Sequence, residues 1–207
     1  MIDAIAQYFA DFTWVKAIDM AGLVLGLIYL WLEFKASIWL WLVSIIMPIV
    51  HGYLYWARGL YADFGMEVYY VLAAIYGYAM WRWVRQGREG EKAAERPITR
   101  FPLRRVLPVA LIGLALWTLI YWILITYTDS SVPVCDSFTT ALSMVALWAL
   151  AQKYAEQWLL WLVVDAVCTV LYIYKQIPFT ACLYAFYTVM AVLGYRSWLK
   201  KMTTTTA

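Results

Sequence analysis

Val106–Thr126 reads VLPVALIGLALWTLIYWILIT, and no charged side chain interrupts it. A helix that crosses a bilayer needs about 20 predominantly apolar residues, because lipid offers no hydrogen bonds to an exposed backbone. This stretch meets the requirement unaided. Arg85, Arg88, Lys92, Arg96, Arg100, Arg104 and Arg105 precede or open it, whereas Asp129 and Asp136 follow. Positive charge near span ends is retained in the cytoplasm. The segment therefore reads as a membrane helix running from the cytoplasm outward.

The rest of the chain has the same character. Of its 207 residues, 65% are hydrophobic and 14% charged, and its mean hydropathy is +0.69. Soluble domains run at roughly 45–50% apolar and about 25% charged, and one this small has too much surface to hide the difference. The expected class is an all-α integral membrane protein with seven transmembrane helices. The spans read as Ile18–Phe34, Ile38–Ala57, Phe64–Val84, Val106–Thr126, Asp136–Ala151, Gln157–Tyr174 and Phe179–Leu199. Lys35, Lys153, Arg196, Lys200 and Lys201 then share the cytoplasmic side with the basic loop. Arg58, Lys175, Asp129, Asp136 and a mildly acidic N-terminus fall opposite. The expected orientation is N-terminus outside and C-terminus inside. Trp39, Trp41, Trp81, Trp83, Trp158 and Trp198 sit near span ends, as an interfacial belt requires.

Several classes drop out. The net charge of +3 is small and bunched, so no basic face for nucleic acid is sustained. Cys135, Cys168 and Cys182 fit no zinc or redox spacing and read as small hydrophobes. His51 is the only histidine, which excludes a multi-histidine metal site, and no cofactor is expected. The start carries Asp3 and Asp11 without a basic stretch before its apolar residues, unlike a cleavable signal peptide. Ile2, Ile5, Phe9 and Phe12 fit one face of a short interfacial helix.

Shifting the chain by 117 positions lays the first three spans on the last three without a gap. Asp19 meets Asp136, Trp31 meets Trp148, and Trp41-Leu42 meets Trp158-Leu159. Leu54-Tyr55 meets Leu171-Tyr172, Arg58 meets Lys175, and Tyr70 meets Tyr187. Gly77-Tyr78 meets Gly194-Tyr195, and Trp81 meets Trp198. Leucine on leucine carries no weight in membrane helices, whereas tryptophan, tyrosine, glycine and aspartate in one register do. The expected organisation is an interfacial segment (1–17), a three-helix repeat (18–84), a basic cytoplasmic loop (85–105), a linker helix (106–126), a second repeat (136–199) and a disordered tail (200–207). The single linker span restores a parallel orientation, giving 3+1+3 parallel repeats. Transporters of this build bind substrate near the midplane, between the repeats.

An ionisable side chain inside a span costs about 2.5–3.5 kcal/mol on insertion scales, so each is a candidate for function. Asp165 lies mid-span with no basic residue within two turns. Glu67 lies one turn into the third span and shares a face with Tyr70. Asp136 opens the fifth span, with Thr139, Thr140 and Ser143 following at helical spacing. Each has a plainer alternative. Asp136 reads equally as a helix N-cap, and Glu67 as a charge reaching for the headgroups. Glu33 pairs with Lys35 in the plain reading, and His51 is a hydrogen-bonded packing residue rather than a proton relay. Pro48 and Ser44 permit a kink in the second span. Carboxylates without internal lysine or arginine suit a cationic substrate, and Trp161, Tyr70, Tyr172 and Tyr187 would add cation–π contacts of about 1 kcal/mol each. No phosphate loop or second soluble domain is visible, so passive movement is the economical reading.

At these residues the sequence resembles the Pnu family of bacterial vitamin transporters. The stretches are Trp39-Leu-Trp41, Gly59-Leu-Tyr-Ala-Asp63, Glu67-Val-Tyr-Tyr70 and Tyr76-Gly77-Tyr-Ala-Met-Trp81 in the first half. In the second they are Trp158-Leu-Leu-Trp161-Leu-Val-Val-Asp165, Leu171-Tyr-Ile-Tyr-Lys175, Thr180-Ala181 and Gly194-Tyr195 before Trp198. The resemblance implies a 3+1+3 fold similar in outline to the SWEET sugar transporters. It implies facilitated diffusion of an unphosphorylated vitamin across the bacterial inner membrane, with trapping by a cytoplasmic kinase and a possible homo-oligomer. Family members carry nicotinamide riboside, thiamin or riboflavin. The riboside pattern implies asparagine near Ile45-Ile46-Met47, glutamine at Glu67 and asparagine at Asp165. This chain has no asparagine at all, and a riboside site lacking its amide partners leaves polar groups unpaired. Thiamin is therefore the expected substrate and nicotinamide riboside the alternative. An intramembrane enzyme is the alternative from another class, but a single histidine and scattered serines form no persuasive catalytic set. A neutral sugar matches the carboxylates poorly.

Overall fold

In the computed structural model the described residues are 14–57, 61–83, 96–175 and 178–205. The apolar stretches all become helices, because hydrogen bonds along the chain's own axis are what satisfies a backbone outside water. They are α1 (Trp14–Lys35), α2 (Trp39–Ala57), α3 (Tyr61–Trp83), α4 (Val106–Tyr127), α5 (Pro133–Ala151), α6 (Gln157–Tyr174) and α7 (Pro178–Thr205). A 3-10 turn at Leu103–Arg105 leads into α4. Among the described residues there is no sheet, only an isolated bridge between Thr99 and Tyr154. Among the described residues three segments are long and apolar enough to cross a membrane: Leu103–Tyr127, Pro133–Ala151 and Gln157–Tyr174.

The chain divides into two compact units, Met1–Ile75 and Tyr76–Ala207. In the first, α1 packs on α2. Gly52 brings α2 close to α3, since a Cβ there would stand 3.5 Å from the Glu67 Cβ and 3.6 Å from the Phe64 ring. In the second, α4 packs on α5, α5 on α6, and α6 on α7. The tightest approach is at Gly194 of α7, where a Cβ would fall 2.6 Å from the indole of Trp158. Only glycine lets these two helices meet.

That approach seats a cluster of tryptophans. Trp158 meets Trp198 edge-on at 6.0 Å and 86°, and Trp198 tilts against Trp81 at 6.4 Å. The Trp81 indole N–H donates to the Leu150 carbonyl at 3.2 Å. Trp41, Trp81, Trp158 and Trp198 are 0–2% exposed. The belt reading fails for these four: they are core, and their rings fill the space that small residues leave between helices. Trp39 does fit it, at 63% exposure.

Two helix ends share one geometry. At the end of α1, Ala36 takes φ 57°, its N–H reaches Glu33 O, and the Ser37 N–H reaches Leu32 O. At the end of α5, Lys153 takes φ 58°, its N–H reaches Leu150 O, and the Tyr154 N–H reaches Ala149 O. Both are Schellman caps, which close the orphan carbonyls of a helix end through one left-handed residue. Each member of the second set stands 117 positions after its counterpart. The next bonds follow suit: Leu40 N–H to Ser37 O matches Gln157 N–H to Tyr154 O, and Trp41 N–H to Ile38 O matches Trp158 N–H to Ala155 O. Burial repeats as well, with Ala74 at 2% against Ala191 at 1%.

Residues 96–105, the described part of the basic loop, lie as a strap on the α5–α6 turn. Thr99 exchanges backbone hydrogen bonds with Lys153 and Ala155 at 3.1 and 3.0 Å. Glu156 accepts from the Phe101 N–H at 2.7 Å and from Arg100 Nη1 at 3.1 Å. Arg100 also donates to the Tyr195 hydroxyl on α7 at 2.9 Å. The expected tail is corrected too: α7 continues to Thr205, so residues 200–205 are helix. Threonine hydroxyls bonding back along the axis suit a helix end, as Thr203 Oγ1 does to Lys200 O at 2.7 Å. The N-terminal expectation falls on residues 1–13 (outside the described residues) except for 14–17, which open α1.

Candidate functional site

The polar residues of the second unit gather on the inner faces of α5, α6 and α7. On α6, Trp161, Asp165, Cys168 and Tyr172 are spaced four, three and four apart, which places them on one helical face. Asp165 is 7% exposed and Cys168 8%. Among the described residues the Asp165 carboxylate forms no ion pair and no side-chain hydrogen bond. One turn away, the Trp161 indole N–H is buried and also without a partner. A donor and an acceptor left open on one buried face stand out, since buried polar groups are nearly always satisfied.

Tyrosines from two helices complete the face. Tyr172 stacks on Tyr184 of α7 with ring centroids 5.2 Å apart and 20° between planes. Tyr184 meets Tyr187 edge-on at 6.0 Å. Cys168, Tyr184 and Tyr187 all lie within reach of the Asp165 carboxyl, and Thr139 of α5 lies against Cys168. Tyr184 and Cys168 were not among the residues expected from sequence. Tyr184 precedes Tyr187 by one helical turn, a spacing that could have found it in a helix already holding one candidate.

At the end of this face sits Asp136. Its N-cap reading is overturned: α5 starts at Pro133 with Val132 at the cap and no side-chain bond there. Asp136 instead lies in the first turn, accepts from Ser130 Oγ at 2.7 Å, and faces Lys175 Nζ at 3.6 Å. A carboxylate there also complements the helix dipole. Thr140 donates to the Asp136 carbonyl at 2.7 Å, satisfying its hydroxyl within its own helix. Ser143 is half-buried further along α5. The structure thus brings Trp161, Asp165, Tyr172 and Tyr187 into one neighbourhood, with Asp136 at its rim.

Glu67 and Tyr70 belong to the first unit. Glu67 Oε1 lies 3.8 Å from His51 Nδ1, a polar contact that fits His51 as a bonded packing residue. Tyr70 is 38% exposed, meets Tyr69 edge-on at 5.6 Å, and lies near Glu67. The expected Glu33–Lys35 pair is absent among the described residues. Glu33 is 3% exposed, while the Lys35 ammonium stands 5.8 Å over the Trp31 ring.

Among the described residues the chain is helical, with apolar helices that bury a carboxylate beside stacked tyrosines, the build of a membrane transporter for a small solute. Comparison with known proteins makes the class particular. The nicotinamide mononucleotide transporter family matches residues 16–200, and the chain belongs to this family, the Pnu family of vitamin transporters. It is 24% identical over 213 residues to the nicotinamide riboside transporter PnuC of Escherichia coli K12, spanning 91% of this chain and 86% of that protein. It is 26% identical over 180 residues to the riboflavin/roseoflavin transporter RibM of Streptomyces davaonensis, spanning 87% and 83%. The crystal structure of the vitamin B3 transporter PnuC shares the fold, with a TM-score of 0.69 and 24% identity over 98% of this chain and 87% of that one.

Proposed function

We propose that the protein carries an unphosphorylated, cationic vitamin across the bacterial inner membrane by facilitated diffusion, and that nicotinamide riboside is its first candidate substrate. One observation carries the reading: the α6 face on which a buried Asp165 carboxylate and the Trp161 indole N–H have no partner among the described residues. A cation with a hydrogen-bonding periphery would satisfy both. The relatives named for nicotinamide riboside favour this substrate. Thiamin is the second reading, favoured by the complete absence of asparagine.

In this account Asp165 holds the positive charge, and Trp161, Tyr172 and Tyr187 contact the ring. Asp136, Thr140 and Ser143 border the path in this unit, and Glu67 and Tyr70 are the candidate polar residues of the first unit. The 3+1+3 arrangement of seven spans is supported by the Schellman caps, the tryptophan burial and the close-packed alanines that recur 117 positions apart. The orientation, N-terminus outside, is supported by the arginines around the loop. A cytoplasmic kinase that phosphorylates the vitamin would trap it and keep the gradient inward.

The test is binding of nicotinamide riboside, thiamin and riboflavin, side by side, to the purified protein in detergent. Saturable binding of the riboside supports the first reading, and binding of thiamin alone replaces it with the second. Equal affinity in wild type and Asp165→Asn for every ligand bound would remove Asp165 from the site.

A further inference from the structure

A groove of about 590 Å³ lies between α4 and the paired helices α5 and α6, lined by Val106, Gly113, Trp117, Phe138, Val145 and Leu160 among others. It contains none of the residues assigned above to the vitamin. Its lining is apolar except for Glu156, whose carboxylate is already engaged by Arg100 and the Phe101 N–H. The volume falls within the roughly 300–1,000 Å³ typical of small-molecule sites. A vitamin cation would find no counter-charge in it. The α4 wall has no buried residue, so hydrocarbon is its natural surrounding.

Two arginines, Arg104 and Arg105, follow the lining residue Leu103 at one end of the groove. Phe101 and Leu103 line it there, and the turn Leu103–Arg105 carries two exposed arginines. Arg105 Nη1 donates to the Tyr154 hydroxyl at 2.9 Å, which fixes where its guanidinium lies. Arg104 forms no ion pair among the described residues. Leu103, beside them, is 87% exposed, a position suited to the boundary between headgroups and chains.

We infer that this groove is a binding site for an anionic phospholipid, with an acyl chain against α4 and α5 and the phosphate at Arg104 and Arg105. Charge complementarity selects this occupant, since basic pockets between helices on the cytoplasmic side receive anionic headgroups. The orientation proposed above puts the turn on that side. A second copy of the chain, seated there about a two-fold axis, would set like-charged turns against each other.

Native mass spectrometry of delipidated protein, titrated with phosphatidylglycerol or with phosphatidylcholine of the same chains, tests this. The expected result is one phosphatidylglycerol retained preferentially, the preference falling about fivefold for each arginine removed in R104Q and R104Q/R105Q. Ala110→Phe, which fills the groove, should abolish the retained adduct of either lipid while the protein stays monodisperse and binds its vitamin. Equal retention of the two lipids by wild type, an unchanged preference in R104Q/R105Q, or a protein dimer lost in Ala110→Phe would each overturn the inference.

Discussion

At the residue scale, Asp165 was legible in the sequence because a carboxylate in the middle of Val163-Val-Asp-Ala-Val167 has no other ready explanation. Asp136 was only half legible. Its place near a helix start was evident, but its bond to Ser130 and its pairing with Lys175, at the far end of α6, depend on how two helices are aligned. Tyr184 was hidden by abundance, since tyrosines are too common in this chain to single one out. Asp165→Asn should weaken binding of a cationic vitamin by about 2 kcal/mol, the worth of a charge-assisted contact, with the melting temperature kept. Isothermal titration of the purified variant reads the loss. Tyr184→Leu should cost about 1 kcal/mol if the stacked pair receives the substrate ring, whereas a purely packing role would show as a lower melting temperature with affinity intact. Gly194→Ala belongs to the same scale. Its methyl would meet the buried Trp158 indole at 2.6 Å, and overpacking of this kind costs about 1–3 kcal/mol. Thermal unfolding in detergent should show the loss.

At the element scale, the helices were readable from length and apolarity alone, and α6 begins and ends where the pattern puts it. The end of α5 at Ala151 also matches, whereas its start moves from Asp136 to Pro133 and the end of α7 from Leu199 to Thr205, because a cap is written in backbone angles rather than in composition. Ala36 and Lys153 are non-glycine residues in the left-handed region, yet their surroundings differ. Ala36→Gly should raise stability by about 0.5–1 kcal/mol, the relief of left-handed strain less the added freedom of the unfolded chain. Lys153→Gly should not, because the Lys153 ammonium lies 4.0 Å over the Trp81 ring, a contact worth about 2 kcal/mol when desolvated. Opposite shifts in melting temperature would separate the two caps. The strap was invisible in sequence, where its arginines carried only a topology signal. Glu156→Gln should expose the segment to trypsin at Arg100, measured as faster cleavage in limited proteolysis.

At the scale of the whole molecule, the class was evident from composition, and the family from the ordered motifs of both halves. The particular vitamin was not. Missing asparagines argued for thiamin, whereas the named relatives argue for nicotinamide riboside, because a site can replace one hydrogen-bonding group by another that composition does not reveal. The proposed orientation makes its own prediction. Asp129→Cys should react with a membrane-impermeant maleimide in intact cells, and Gly90→Cys only after permeabilisation. The reverse pattern would invert the molecule.

The solitary carboxylate of α6 also bears on the energetics of uptake. If, as proposed above, the charge of Asp165 is balanced only by its passenger, the membrane field is left free to act on the journey. For a monovalent cation moved without a counter-ion, each turnover is electrogenic, and 100 mV of potential amounts to about 2.3 kcal/mol. That corresponds to an inward enrichment of roughly fiftyfold with neither nucleotide nor ion gradient consumed. A carrier of this kind would work as a battery-driven concentrator, and proteoliposomes given a potassium diffusion potential should fill or empty with its sign.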